Sequence, residues 1–373
     1  MKIKDLTLRK LSIPFRTAFK HASATRLETE SVIAIAESES GKMGYGEGCP
    51  RSYVTGESQE SCLQFFEKHK PDFPQLHGLN QLREWVAQNR STIDSNPAAW
   101  CSIEMAILDL IARERNVSVE DLLSLPEICG SFKYTAVMGL NSLPSFKKQL
   151  QRYLEIGFTD FKIKISGKLE EDKERIELST SFINDPSKIR LDANNVWDQP
   201  EDCIQYMESL EPSFFAIEEP ISKNDFKGHK NIFAALKLPI ILDESFCRLS
   251  QFDELQEVPV KFILNIRVSK MGGILRSLEI IQEAKRLNIP VIVGAQVGET
   301  SLLTRAALTL CSAFRDNIVA QEGAFGTHLL EYDITPSPLM FGTKGNLNAS
   351  KAGQKPGLGI HVDSKTLNAF TFH

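Results

Sequence analysis

No C-x-x-C pair occurs in this sequence: its seven cysteines (Cys49, Cys62, Cys101, Cys129, Cys203, Cys247, Cys311) are scattered and odd in number. Neither a disulfide framework nor a zinc knuckle is indicated, and a reduced, cytoplasmic protein is expected. No Lys/Arg block offsets the formal net charge of −5. Nothing therefore draws the chain to nucleic acid or an anionic membrane, and a small molecule is the expected partner. The opening MKIKDLTLRKLSIPF lacks the apolar core of a signal peptide and alternates like a strand. No apolar run approaches the roughly 18 residues of a membrane span, and low-complexity segments are absent.

What is present falls into two textures. Residues 1–130 open with alternating strands (KIKDLTLRKLSI, ESVIAIAES) and continue into helices, of which AAWCSIEMAILDLIARERN has the clearest 3.6-residue period. This predicts an α+β module. Over residues 131–325 an apolar strand, a loop and an amphipathic helix repeat; the strands are YTAVMG, DFKIKI, KIRLD, FFAIEEP, LPIILD, KFILNI, IPVIVG and NIVAQE. Parallel neighbours need a crossover helix, so this alternation predicts a parallel β/α barrel. Residues 326–373 form a Gly/Pro-rich tail expected to pack back on the first module.

Barrel active sites lie at the carboxyl ends of the strands. There this sequence carries Lys162 and Lys164, then Asp192 and Asn194, Glu218 and Glu219, Asp243 and Glu244, and Arg267, one set per strand at intervals of 24 to 28 residues. Carboxylates from three adjacent strands repel one another unless a cation lies among them. All-oxygen donors without Cys or His point to a hard ion, and Mg²⁺ suits such a set, with Mn²⁺ as the alternative. Lys162 and Lys164, two residues apart, share one face of their strand, and a lysine beside another cation is a candidate general base. Taken singly, KIKI is an ordinary strand face and an Asp or Glu after a strand is a helix cap; the inference rests on the set. Arg267 alone reads equally well as a structural ion-pair partner. His21 and His328 read as surface or loop histidines.

These residues give the chain a resemblance to the enolase superfamily, in its muconate lactonizing enzyme subgroup. It is carried by K-x-K at 162–164, RLDAN at 190–194, IEEP at 217–220, DES at 243–245, N-I-x-x-x-K-x-G-G at 265–273 and PGLGI at 356–360; IEMAILDL also resembles a helix of that family's capping domain. The resemblance implies a modified (β/α)7β TIM barrel with an N-terminal α+β cap. It implies Asp192, Glu218 and Asp243 as Mg²⁺ ligands, supported by Asn194, Glu219, Glu244 and Lys270. It also implies removal of the proton α to a substrate carboxylate to give an enediolate, with Lys164 as base and Lys162 lowering its pKa.

The sequence departs from the subgroup at the sixth strand, where N-I-R replaces the usual N-I-K and puts Arg267 in the place of a second lysine. An arginine, protonated far beyond neutral pH, is a poor proton-transfer partner. A one-base cycloisomerase or syn-elimination lyase is therefore expected, with Arg267 stabilising charge. The alternatives are an amino-acid or dipeptide epimerase using Arg267 as an unusual second acid/base, and a catalytically silent carboxylate-binding protein. The eighth strand (NIVAQEGAFG) lacks the Asp-x-Asp with which dipeptide epimerases hold a substrate ammonium, and no histidine ends the seventh. Cap loops 16–26 and 50–58 offer Arg16, Lys20, Arg26, Arg51 and Tyr53, which suggest an anionic, even dicarboxylate, substrate, although a solvated basic loop reads as well; Gln296 and Glu322 are further substrate-binding candidates. A homo-oligomer is expected from the family.

Overall fold

A computed structural model describes residues 1–21, 24–210, 213–256, 259–352 and 356–372. Eight short apolar segments form one parallel sheet in chain order: Ala136–Met138, Phe161–Lys164, Ile189–Asp192, Ala216–Glu218, Ile240–Leu242, Phe262–Ile266, Val291–Val293 and Ile318–Gln321. The Thr135 N–H donates to the Gln321 carbonyl at 2.8 Å, joining the eighth strand to the segment that leads into the first. Helices follow the first seven strands (Leu143–Ile156, Leu169–Phe182, Pro200–Glu208, Phe226–Leu236, Phe252–Gln256, Ile274–Arg286 and Ser301–Ala313), whereas the eighth is followed by a single 3₁₀ turn, Gly326–His328. The fold is thus a (β/α)7β barrel. Branched and small side chains fill its interior, with Ala216, Ile241, Ile263, Ile292 and Ala320 forming a layer contributed by strands four to eight.

The N-terminal cap is an antiparallel sheet in the order Thr371–Phe372, Ile3–Leu11, Ser31–Ser38, Met43–Gly48. The end of the chain thus pairs with Lys10 and Leu11. The helix Pro97–Glu114 presses on the last of these strands because Gly44, Gly46 and Gly48 have no side chain to hold it off: a Cβ on Gly46 would lie 2.1 Å from the Ser102 carbonyl oxygen.

Cap carboxylates dock on the starts of barrel helices. Glu47 accepts from the Thr300 N–H at 3.1 Å and its hydroxyl at 2.6 Å, beside the start of Ser301–Ala313. Glu104 accepts from the Leu275 N–H at 3.0 Å, at the start of Ile274–Arg286. Both helix starts expose unpaired N–H groups and positive dipole, which a carboxylate satisfies. Burial pushes Glu47 up to about 7 and Glu104 up to about 8, so this docking is opposed by the cost of burying charge.

Candidate active site at the barrel mouth

Five consecutive strands bring the expected residues to one rim. Parallel register sets Lys164 beside Asp192, and Asp192 beside Glu218. Asp243 follows the fifth strand and Arg267 the sixth. Lys164 and Arg267 therefore stand on strands four apart in a ring of eight, on opposite sides of the mouth, with the three carboxylates along the arc between them. Both line one cavity of about 430 Å³, together with Lys162, Asp192, Asn194, Glu244, Gln296 and Glu322.

Electrostatics at the rim are organised as buried pairs. Lys162 Nζ reaches Glu322 at 2.7 Å, Glu218 at 3.2 Å and Asp192 at 3.6 Å. Burial lowers its pKa, but the Glu218, Glu322 and Asp192 carboxylates outweigh that and hold Lys162 well above lysine's ordinary value. It is a fixed positive charge. Lys164 Nζ lies 3.1 Å from the Asp192 oxygen that Lys162 also approaches, and donates to Asn194 Oδ1. Arg267 donates to the Gln296 amide oxygen at 2.8 Å and pairs with Asp243. Lys270 donates to the Asp243 carboxylate at 2.8 Å and to the Asn265 carbonyl at 2.7 Å, and burial, with the Arg267 charge nearby, pushes it down to about 8.

The donor set agrees in kind with a hard divalent cation: buried carboxylate oxygens at adjacent strand ends, with no sulfur or imidazole among them. Glu244 adds an orphan, since its Oε2 is buried without a hydrogen-bond partner among the described residues. Burial and the neighbouring Glu219 and Asp192 carboxylates push Glu244 up to about 8. Among the described residues no three acidic, histidine or cysteine side chains converge as a metal site. Asp192, Glu218 and Asp243 each close on a lysine or arginine instead, the response of buried anions with side-chain cations in reach.

Several supporting residues differ from their expected use. Glu219, at φ +41°, braces the end of the fifth strand by accepting from the Ser245 N–H at 2.8 Å, the Ser245 hydroxyl at 2.7 Å and the Asn195 amide at 3.1 Å. Glu322, expected to meet substrate, is the buried partner of Lys162 and Arg190. Gln296 lines the cavity but holds Arg267. Arg16, Arg26 and Arg51 are not among the residues that line the cavity. Arg16 donates to the Thr327 carbonyl at 2.7 Å. Arg26 pairs with Glu30 at 3.1 Å and lies over the Tyr53 ring. Arg51 is buried on the carbonyls of Glu30, Pro50 and Val297. Arg16 and Arg51 thus anchor backbone carbonyls, whereas Arg26 is held by a neighbouring carboxylate. Tyr53 does line the cavity, as does the exposed His328, and the side chains of Lys20 and His21 lie outside the described residues.

Two participants had no role assigned from sequence. Arg190 donates to the Thr135 hydroxyl at 2.7 Å and to Glu322 at 3.3 Å, and Asn265 donates to Glu218 at 3.1 Å. Each lies two residues before a residue already singled out, Asp192 or Arg267. The strand period of two that groups Lys162 with Lys164 would have found both.

The model of the enolase C-terminal domain-like family matches residues 145–366. The N-succinyl-L-Arg/Lys racemase of Bacillus cereus is 26% identical over 378 aligned positions, covering 100% of this chain and 98% of the racemase. Its crystal structure superposes with a TM-score of 0.88, covering 100% of this chain and 99% of that one. A dipeptide epimerase from Enterococcus faecalis, solved with Mg and the dipeptide L-Leu-L-Tyr, is 26% identical with a TM-score of 0.80 over 96% of this chain and 99% of its own. The structure of muconate lactonizing enzyme, at 21% identity and a TM-score of 0.85 over 100% of both chains, shares the fold alone. A matching family model over most of the chain, a capped (β/α)7β barrel and the strand-end residues agree: the chain belongs to the enolase superfamily.

Proposed function

We propose that this enzyme inverts the configuration at the carbon α to the carboxylate of an N-acylated amino acid, with Lys164 on one face of the substrate and Arg267 on the other. The observation that supports this most directly is that both side chains line one cavity from opposite sides of the barrel. The racemase and epimerase relatives favour inversion over the muconate-type reaction expected from the arginine alone. An acylated rather than free amine suits the site because Asp192 and Glu322 are occupied by cations and Glu244 favours its neutral form. Among the described residues that line the cavity, no carboxylate is left to hold an ammonium.

In this reading Lys164 removes the α-proton, held at the strand end beside Asp192 and Asn194. A guanidinium is acidic enough to protonate a carbanion-like carbon, and Gln296 would aim Arg267 at the opposite face. Asp192, Glu218 and Asp243 would hold Mg²⁺, or Mn²⁺ in its place, which when bound would supply positive charge against the negative charge that develops on the substrate carboxylate. Tyr53, from the cap, would help exclude water over the mouth. The one-base reading, a cycloisomerisation or syn elimination, retains one specific support: Arg267 is bound to Asp243, where a guanidinium neutralises charge more readily than it gives up a proton.

Chiral chromatography of a panel of N-acyl L-amino acids incubated with enzyme and Mg²⁺ tests the proposal. Formation of the D-enantiomer, lost in Lys164→Ala, is the expected result; an unchanged L-configuration across the panel contradicts it.

A further inference from the structure

The cavity does not end at the reacting groups. It is also lined by the first barrel helix and by the segment after the eighth strand, where the next element is a 3₁₀ turn rather than an eighth α-helix. Tyr153 and Ile156 from that helix, with Phe325 and Phe341 from the later segment, give this arm apolar walls. The same helix contributes Arg152 and Gln149 to the lining, and Asn141 joins them.

Arg152 differs from the other lysines and arginines of the wall. Lys162, Lys164 and Arg267 are each tied to a carboxylate. Among the described residues Arg152 makes no hydrogen bond or ion pair, and it is exposed. An apolar arm joining a reaction centre to a cation without a counter-ion matches an elongated ligand with a carboxylate at each end. The planar guanidinium can take the remote carboxylate through two parallel hydrogen bonds. Arg16, Arg26 and Arg51 of the cap do not supply this contact, being engaged elsewhere.

We infer that Arg152 is a specificity-determining residue that binds a second, remote carboxylate of the substrate, carried on either the N-acyl arm or the amino-acid side chain. The inference rests on the proposed N-acyl amino acid reading and names the substrate class within it.

Calorimetric titration of the Mg²⁺-loaded full chain tests it with matched pairs. One arm uses N-succinyl-, N-adipoyl- and N-suberoyl-L-leucine, each against the monocarboxylic acyl-leucine of equal length. The other uses N-acetyl-L-glutamate against N-acetyl-L-glutamine. In the wild type at least one dianion is expected to bind about tenfold more tightly than its neutral partner, the scale of a charge-assisted hydrogen bond. The pair that shows the preference identifies the arm. Arg152→Gln is expected to bring that ratio close to one, and Arg152→Lys to restore part of it. No preference for any dianion, or a ratio unaltered in Arg152→Gln, overturns the inference. α-Proton exchange followed by NMR in D₂O on the same samples separates the two claims: a preferred dianion that keeps its α-proton supports the clamp and counts against the epimerase reading.

Discussion

Lys162 is the charge on which the mouth depends, because Glu218, Glu322 and Asp192 all lie within 3.6 Å of its nitrogen. Lys162→Met should therefore cost about 3–5 kcal/mol, the penalty for leaving buried carboxylates without their cation, read as a lower urea midpoint. Little change would mean that Mg²⁺ or Arg190 already balances those charges. His229 gives a second test at this scale. It is fully buried, neither ring nitrogen has a hydrogen-bond partner among the described residues, and burial, opposed by Asp225, pushes it down to about 4. The unfolded chain takes up this proton near pH 6.5 and the folded one only near 4. His229 thus withdraws stability as pH falls from 6.5 toward 4, by on the order of 3 kcal/mol at most. Denaturant titrations between pH 7 and 4 should show a shallower acid loss in His229→Phe; equal slopes would contradict the assignment.

Among the elements, the contact between cap and barrel is the most sensitive to single atoms. Gly273 has φ +102°, and a Cβ there would stand 2.4 Å from Glu104 Oε1, the oxygen that receives the Leu275 N–H. Gly273→Ala should cost about 1–3 kcal/mol through backbone strain alone, with the displaced carboxylate adding to it; thermal unfolding measures this, and a wild-type melting temperature would refute it. The Gly-Gly of the 265–273 frame is thus partly a docking surface for the cap. Its resemblance to the family was legible in sequence, but the clash that requires it was not, because the opposing carboxylate comes from another module. The barrel itself was legible, since each strand is an apolar run bounded by turns and followed by a periodic helix. Exceptions were local. Phe252–Gln256 is too short to show a period, and the Gly44, Gly46 and Gly48 stripe makes sense only once a helix lies on it. The strand-end carboxylates and lysines could be read because regular spacing put them on neighbouring strands. The engagement of Arg51 and Arg26 could not, because their partners are set by cap folding rather than by spacing.

For the molecule as a whole, substrate chemistry follows from which sides of one ring the charged groups occupy. Strands two and six face each other, strands three to five hold the carboxylates between them, and Arg152 of the first barrel helix lines the same cavity. Among the described residues no helix is long and apolar enough to cross a membrane. Replacement of Lys164 by Ala should lower kcat by about 10²–10⁴-fold, the usual contribution of a positioned base, while calorimetry still detects Mg²⁺ binding; retained turnover would remove Lys164 from the chemistry. The most direct measurement of the central claim is the stereochemical fate of deuterium at the α-carbon during the first few turnovers of an N-acyl L-amino acid in D₂O. Proton exchange between opposite faces predicts deuterium in newly formed D-product. Deuterium appearing only in L-substrate, with configuration retained, would mean that Lys164 works alone and that Arg267 only neutralises charge.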